Sequence, residues 1–203
     1  MAIDRGPYSQ ACENNKNPIL NILRTQYIEA GKVLEIGGGT GQHAVHFATQ
    51  LNHLCWQSSD TAENIDVLAI RIGQARLSNL PGPISLDVND ELWNVSAVNY
   101  IFTANTLHIM SIESVENFFC HAGKIIQPGG RVCVYGPCKY NQAYTSESNA
   151  RFDHWLKQRD PRSGIRDFED LNLYAERAKL VLIEDHKMPA NNQLLIWEKP
   201  LHT

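Results

Sequence analysis

The stretch that decides the reading is VLEIGGGTGQHA, from Val33 to Ala44. Gly37, Gly38, Gly39 and Gly41 crowd together after an apolar run and before an amphipathic one. A strand, a glycine-rich turn and a helix in that order let backbone press against a ligand at a helix N-terminus. A nucleoside triphosphate loop needs G-x-x-x-x-G-K-[ST], and no lysine follows these glycines. The dinucleotide pattern G-x-G-x-x-G/A fails from Gly37, because position 42 is Gln, but succeeds from Gly39 through Gly41 to Ala44. Glu35 weighs against it. A carboxylate at the end of the strand repels a pyrophosphate and suits a ligand carrying an ammonium or sulfonium group.

Outward from the loop, strands and helices alternate. Upstream, Ile19, Leu20, Ile22, Leu23, Tyr27 and Ile28 recur at helical spacing, which predicts a helix from Lys16 that stops at Gly31. Residues 1–14 read as polar and aperiodic. Downstream, HLCWQS predicts the second strand, and Asp60-Thr61 is placed to cap the helix that carries Ile65, Leu68, Ala69 and Ile72. PISLDV and AVNYIFTAN predict the third and fourth strands, and Val115, Phe118, Phe119, Ala122 and Ile125 mark the helix after them. QPGGRVCVYGP reads as a turn and a fifth strand. Residues 141–166 read as a polar, turn-rich insertion broken by RDPRSG, followed by a helix around 168–178. KLVLIEDH and NQLLIWEKP, joined by KMPANN, close the chain as an antiparallel pair. Alternation with near-continuous apolar strands predicts an α/β, doubly wound, mostly parallel seven-stranded sheet ending in an antiparallel hairpin.

The totals fit that class. The 203 residues fit a single domain, 1–203, with one core. A net charge of -4 argues against a nucleic-acid binder, whose phosphate contacts require a basic face. Arg151, Lys157, Arg159, Arg162 and Arg166 form a local basic excess that reads as a solvated, salt-bridged segment. The five cysteines show no CxxC spacing, so neither a zinc site nor a disulfide framework is indicated, and Cys55 and Cys133 read as core thiols. No apolar run reaches the ~20 residues that span a bilayer, and MAIDRGPYSQ lacks an apolar signal region. These features place the protein in the cytoplasm, off the membrane, with reduced thiols.

The pattern E-x-G-x-G-x-G from Glu35 to Gly41 resembles the first motif of class I S-adenosylmethionine-dependent methyltransferases. The resemblance continues in order along the chain. Asp60 ends the second strand, where an acid binds both ribose hydroxyls, although a plain helix cap is the competing role and NAD enzymes place an acid there too. Asp87 in SLDVND falls where the family reads the adenine amino group, with the backbone of Val88 beside the ring. Asn105 ends the fourth strand, where the family carries Asp or Asn. The closing hairpin is the family's addition to a doubly wound sheet. SQACENNKNPIL, ANTLHIM, FDHWLKQRDPRSGIRDFEDL and MPANNQLLIW are similar to an uncharacterised group, found in bacteria and animals, called methyltransferase-like twenty-six. Asn14 stands where that group carries a basic residue. The resemblance implies S-adenosyl-L-methionine as cofactor and names no acceptor.

In class I enzymes the segment before the first helix often covers the cofactor. Residues 1–31 are then lid and helix, and Lys16 meets the methionine carboxylate; a solvated lysine and a helix-favouring Glu13 are the plain alternative. On the acceptor side, His108 is the candidate base and Asn191-Asn192 offer paired amides; a packed histidine and a simple turn are the alternatives. Tyr140, Tyr144 and Trp155 are candidate pocket walls or core aromatics. The insertion, ANTLHIM and MPANN are expected to converge at one sheet edge. No Asn-Pro-Pro-aromatic element follows the fourth strand, which favours a small-molecule or protein acceptor over nucleic acid. Two other classes stay open: a non-catalytic binding module of this fold, and a nicotinamide-dependent oxidoreductase using the Gly39 register.

Overall fold

The computed structural model describes residues 7–201. Strands β1 (Gly31–Ile36), β2 (Leu54–Asp60), β3 (Ile84–Ser85), β4 (Val98–Ala104) and β5 (Ile126–Gly136) belong to one sheet. β6 (Cys138–Tyr140), β7 (Ala143–Tyr144) and β8 (Arg166–Asp167) form a second, in the order β7-β6-β8. β9 (Val181–Met188) and β10 (Asn192–Glu198) return to the first, whose order is β3-β2-β1-β4-β5-β10-β9. β1, β2 and β3 are mutually parallel neighbours, while β10 runs antiparallel to both β5 and β9. The expected doubly wound, mostly parallel seven-stranded sheet with a closing hairpin is therefore what the chain forms. No helix among the described residues is long and apolar enough to cross a membrane.

The chain divides into two compact units. The first runs to Asp87 and takes in Val98–Phe102. It holds α1 (Gln10–Gln26), α2 (Gln42–Gln50) and α3 (Ile65–Ala75). α1 starts earlier than the apolar spacing predicts, because Ser9 is a competent N-cap: its hydroxyl accepts from Cys12 N. Ile19, Leu20 and Leu23 then form the buried stripe. Tyr27 ends the helix, stacks on Tyr100 at 4.2 Å and donates its hydroxyl to Ile101 O at 2.7 Å. Phe47, Trp56 and Phe102 pack at centroid distances of 5.3–5.7 Å, each nearly perpendicular or tilted. Cys55 is exposed, not a core thiol: the pleat of β2 turns Leu54 and Trp56 inward and Cys55 out. β3 keeps only Ile84 and Ser85 of the expected PISLDV strand.

The second unit comprises Val88–Ala97 and everything from Thr103 onward. α4 (Ile112–Ile125) is capped by Ser111, whose hydroxyl accepts from Ser114 N, and it buries Phe118 and Phe119. Phe119 meets Trp197 of β10 edge-on at 5.3 Å, as expected of an α-helix seated on a sheet face. QPGG is not a free turn. It lies within β5, where Gly129 N bonds Lys199 O and Lys199 N bonds Gly130 O. α5 (Glu147–Arg159) occupies half of the segment that reads as turn-rich, and α6 (Phe168–Arg177) follows β8. Ser146 caps α5. Its buried positions include Asn149 and Asp153 beside Leu156, so the apolar stripe that would announce a helix is absent from the sequence.

Candidate cofactor cradle and acceptor-side residues

The glycine loop lies between β1 and α2 in the first unit. Gly38 packs so closely that a Cβ there would meet Ser58 Oγ at 2.2 Å. Gly39 is the opposite case. Its φ is +54°, which favours glycine, and a Cβ on it would meet nothing within 4 Å. The loop thus presents one open backbone face. It is braced from below: Gly38 N donates to Ser59 O at 2.9 Å, and Gly39 N donates to Asp60 Oδ2 at 2.7 Å. The other Asp60 oxygen accepts from Thr61 N at 2.8 Å and Asn64 Nδ2 at 3.0 Å. Asp60 does not cap α3, which starts at Ile65 after Asn64. Its carboxylate instead ties the loop to the start of the next segment.

Glu35 is 2 % exposed. Its Oε2 accepts from Trp56 Nε1 at 3.0 Å and from Ser58 Oγ at 2.6 Å. Burial pushes its pKa up to about 7, and Asp60 adds to that rise; the two hydrogen bonds oppose it without cancelling it. Both donors come from β2, in register with β1, so the strand pairing builds the site.

The start of α1 is fastened to the loop's helix by Gln42, a residue the motif reading passes over. Gln42 Oε1 accepts from Ser9 N at 2.6 Å and Thr40 Oγ1 at 3.0 Å, while its Nε2 reaches Glu13 Oε1 at 2.7 Å. Lys16 pairs with Glu13, whose pKa is lowered by its bonds to Lys16 and Gln42. His43 Nε2 meets Asn15 Oδ1 at 2.7 Å; burial lowers its pKa to about 4. Cys12 sits by Ser9 and Thr40, and burial raises its thiol. Asp87 is exposed and ends the first unit.

In the second unit, Val88 is 6 % exposed. Asn105 adopts φ +60° and donates its N–H to Tyr135 O at 2.8 Å. His108 is 6 % exposed, meets Phe152 edge-on at 5.2 Å, and has its pKa lowered to about 4 by burial and then by Arg166. The expected convergence of three segments is present within this unit. Gly164 N bonds His108 O at 2.9 Å, Ser163 Oγ bonds Ile109 O at 2.7 Å, and Asn149 Nδ2 bonds Asn191 O at 2.9 Å. Arg166 ties the knot, donating to Leu107 O, Met110 O and Arg162 O. Sequence reading gave Arg166 only a solvated role. Asn192 closes its own turn, donating Nδ2 to Pro189 O at 3.0 Å and Ala190 O at 3.3 Å, so its donors are engaged. Tyr140 donates to Asp185 at 2.7 Å and Tyr144 to Asp153 at 2.6 Å. Among the described residues, no His, Cys, Asp and Glu cluster could hold a metal ion.

The fold is that of class I S-adenosylmethionine-dependent O-methyltransferases. An O-methyltransferase family protein from Burkholderia thailandensis superposes with a TM-score of 0.83 at 15% identity, over 95% of this chain and 58% of that one. An O-methyltransferase family 2 protein from Planctomyces limnophilus, solved with apigenin, gives 0.72 at 15% identity, over 97% and 64%. Human N-acetylserotonin methyltransferase, solved with S-adenosylmethionine, gives 0.74 at 13% identity, over 94% and 53%. The chain spans less than two thirds of the length of each of these. The chain itself belongs to a family described as protein of unknown function, DUF938, which matches residues 6–199.

Proposed function

We propose that this protein is an S-adenosylmethionine-dependent methyltransferase with a small-molecule acceptor, and that it falls with the methyltransferase-like twenty-six group. The observation that carries the reading is the open backbone face at Gly39, held by Asp60 and lying beyond the buried acid Glu35. That is a cradle for a group pressed against main chain, near a carboxylate that suits a cation. The same acid disfavours a pyrophosphate, and with it the nicotinamide reading.

Bound S-adenosylmethionine supplies a methyl group already activated on a sulfonium, so the protein's task is positioning and proton handling. Gly37, Gly39 and Gly41 give the loop its approach. Glu35 favours the cationic end, Asp60 the ribose hydroxyls, Asp87 and Val88 the adenine, and Lys16 the methionine carboxylate. Asn105 completes the set. His108 is the group placed to take the proton that a hydroxyl or amine acceptor loses, and burial keeps its imidazole neutral at neutral pH. The similar structures solved with S-adenosylmethionine and with apigenin support a small molecule as partner.

A second reading, a non-catalytic binding module, is favoured by that same low pKa, since a base of pKa about 4 is a weak proton acceptor. Calorimetry with S-adenosylmethionine, S-adenosylhomocysteine and NAD, followed by a metabolite screen for S-adenosylhomocysteine release, tests the proposal. NAD binding without S-adenosylhomocysteine binding sinks it. Cofactor binding with no release on any metabolite favours the module.

A further inference from the structure

In the second unit, α4 and α6 pack against each other at Gly123, where a Cβ would lie 2.4 Å from Ala178 O. Beside that contact the two helices line a cavity of about 470 Å³, within the ~300–1,000 Å³ of small-molecule sites. Its α4 wall ends at Lys124, next to the start of β5 at Ile126. The candidate base is at the other end of that strand, where a Cβ on Gly136 would lie 3.8 Å from His108 Nδ1. Cys120, Gly123, Tyr174 and Ala178 give the cavity a largely apolar wall, and Arg177 lies over the Tyr174 ring at 6.0 Å. Its charged groups are Lys124, Arg177 and Lys179 against Glu116 alone, which Arg177 holds at 3.0 Å. Lys124 and Lys179 are exposed and make no ion pair among the described residues. Nor is Lys124 needed at the helix end. Lys199 Nζ donates to Gly123 O at 2.8 Å and to Ile126 O at 3.1 Å, which offsets the partial negative charge there. Lys179 adopts φ +61° just past α6, where glycine is the usual residue, so an ammonium stands where the backbone alone asks for none.

We infer that this cavity is a second binding site, for a phosphate monoester with a flat apolar body. Two ammonium groups and a guanidinium suit a dianion, and lysine binds phosphate as a point charge. The wall of Cys120, Tyr174 and Ala178 receives the body. The site does not rest on the methyltransferase reading, since it uses no residue given there to cofactor or acceptor.

The test uses the full chain without cofactor and 1-naphthyl phosphate as the probe, with 1-naphthol and inorganic phosphate as its two halves. Calorimetry is expected to show the probe binding about tenfold more tightly than either half, because charge and body act together. A protein carrying both Lys124→Gln and Lys179→Gln is expected to bind the probe about tenfold more weakly than wild type. The single variants serve if the double variant does not fold. Iodoacetamide locates the site. Bound probe is expected to slow alkylation of Cys120, while Cys55, exposed in the first unit, reacts as before. The inference is overturned if the probe does not bind, if either half binds as tightly, if the lysine variants bind like wild type, or if Cys120 is not protected. Association of two copies in light scattering, with no probe bound, overturns it as well and makes the cavity a joint between copies.

Discussion

Asp60 accepts the backbone N–H of Gly39 at 2.7 Å. A carboxylate read from sequence as a ribose ligand is thus also the support of the loop that would receive the cofactor. Asp60→Ala should therefore act twice. It is expected to weaken S-adenosylhomocysteine binding by about 1.5–3 kcal/mol, the range for a hydrogen bond to a charged group. It should also speed amide exchange at Gly39 in the free protein. Calorimetry and hydrogen exchange read the two effects. Unchanged Gly39 exchange would leave Asp60 as a ligand group alone.

Gly39→Val should fold and fail to bind. An added Cβ meets no protein atom within 4 Å, so the main cost to folding is the strain of a φ of +54°, about 1–3 kcal/mol for a non-glycine residue. The space it fills is the cradle itself. Gly38→Ala makes the contrast, since its Cβ would sit 2.2 Å from Ser58 Oγ and displace a hydroxyl bonded to Glu35. Thermal melts and S-adenosylhomocysteine titration separate the two. A Gly39→Val protein that binds like wild type removes the loop from the cofactor site.

Glu35 should make the protein less stable as pH rises. Its folded pKa, about 7, exceeds the ordinary glutamate value of 4.5, so the folded state holds a proton that the unfolded chain releases. That contribution is complete below about pH 4.5, is lost progressively as pH rises to about 7, and stays lost above it. A shift of this size corresponds to roughly 3 kcal/mol. Glu35→Gln keeps an oxygen for Ser58 and Trp56 and should be the more stable protein at pH 8. It should also bind S-adenosylmethionine more weakly there, having lost the charge. Denaturant titrations at pH 5 and 8 check the sign. A variant less stable than wild type at pH 8 would contradict it.

The glycine loop, the succession of strands and helices, and the closing hairpin were legible because each rests on local chemistry: glycine spacing, alternation and turn residues. What supports the loop was not. Ser58 and Trp56 reach Glu35 only through the parallel register of β1 with β2, and nothing local announces which strands pair. Ser9 is a local cap signal with Glu13 near it, and it marks the true start of α1 more truthfully than the apolar stripe does. α5 was hidden for another reason. Its inward face carries Asn149 and Asp153, whose bonds to Asn191 O and Ile165 N satisfy them in the fold but look like loop chemistry in the sequence.

His43 and His108 should produce an acid limb in stability. Both have folded pKa values of about 4 against the ordinary histidine value of 6.5, so the unfolded chain binds protons first as pH falls. Their contribution is present above about pH 6.5 and is lost as pH falls toward 4. Each is worth up to about 3 kcal/mol. His108→Gln should flatten part of this limb, leaving the rest to His43. Unfolding midpoints between pH 4 and 8 measure it. An acid limb unchanged in His108→Gln would mean that the imidazole is not held neutral in the fold.

Arg166 should prove more important than a solvated arginine. Its guanidinium is half-buried and donates to three carbonyls: Leu107 O at 3.0 Å, Arg162 O at 2.9 Å, and Met110 O. Two of these lie in the loop that carries His108, and the neighbouring Gly164 and Ser163 bond the same loop. Arg166→Ala removes a fork of donors and leaves two part-buried carbonyls, Leu107 O and Met110 O, without this partner. It is expected to destabilise the protein by about 2–4 kcal/mol, from two or three hydrogen bonds involving a charged group. Arg166→Lys should recover little, because an ammonium cannot span carbonyls set out for a planar fork. The effect should also be local. Amide exchange should rise first at Ile109 and Met110, whose N–H groups bond Thr106 O within that loop, before the sheet amides of β5 and β10. The substitution also removes a positive charge near His108, so the imidazole pKa should rise from about 4 toward its ordinary value. Nuclear magnetic resonance titration of the ring and site-resolved exchange test both consequences on one protein. An Arg166→Ala variant with wild-type stability and an unmoved His108 titration would return Arg166 to the solvated face that its neighbours in the sequence suggest.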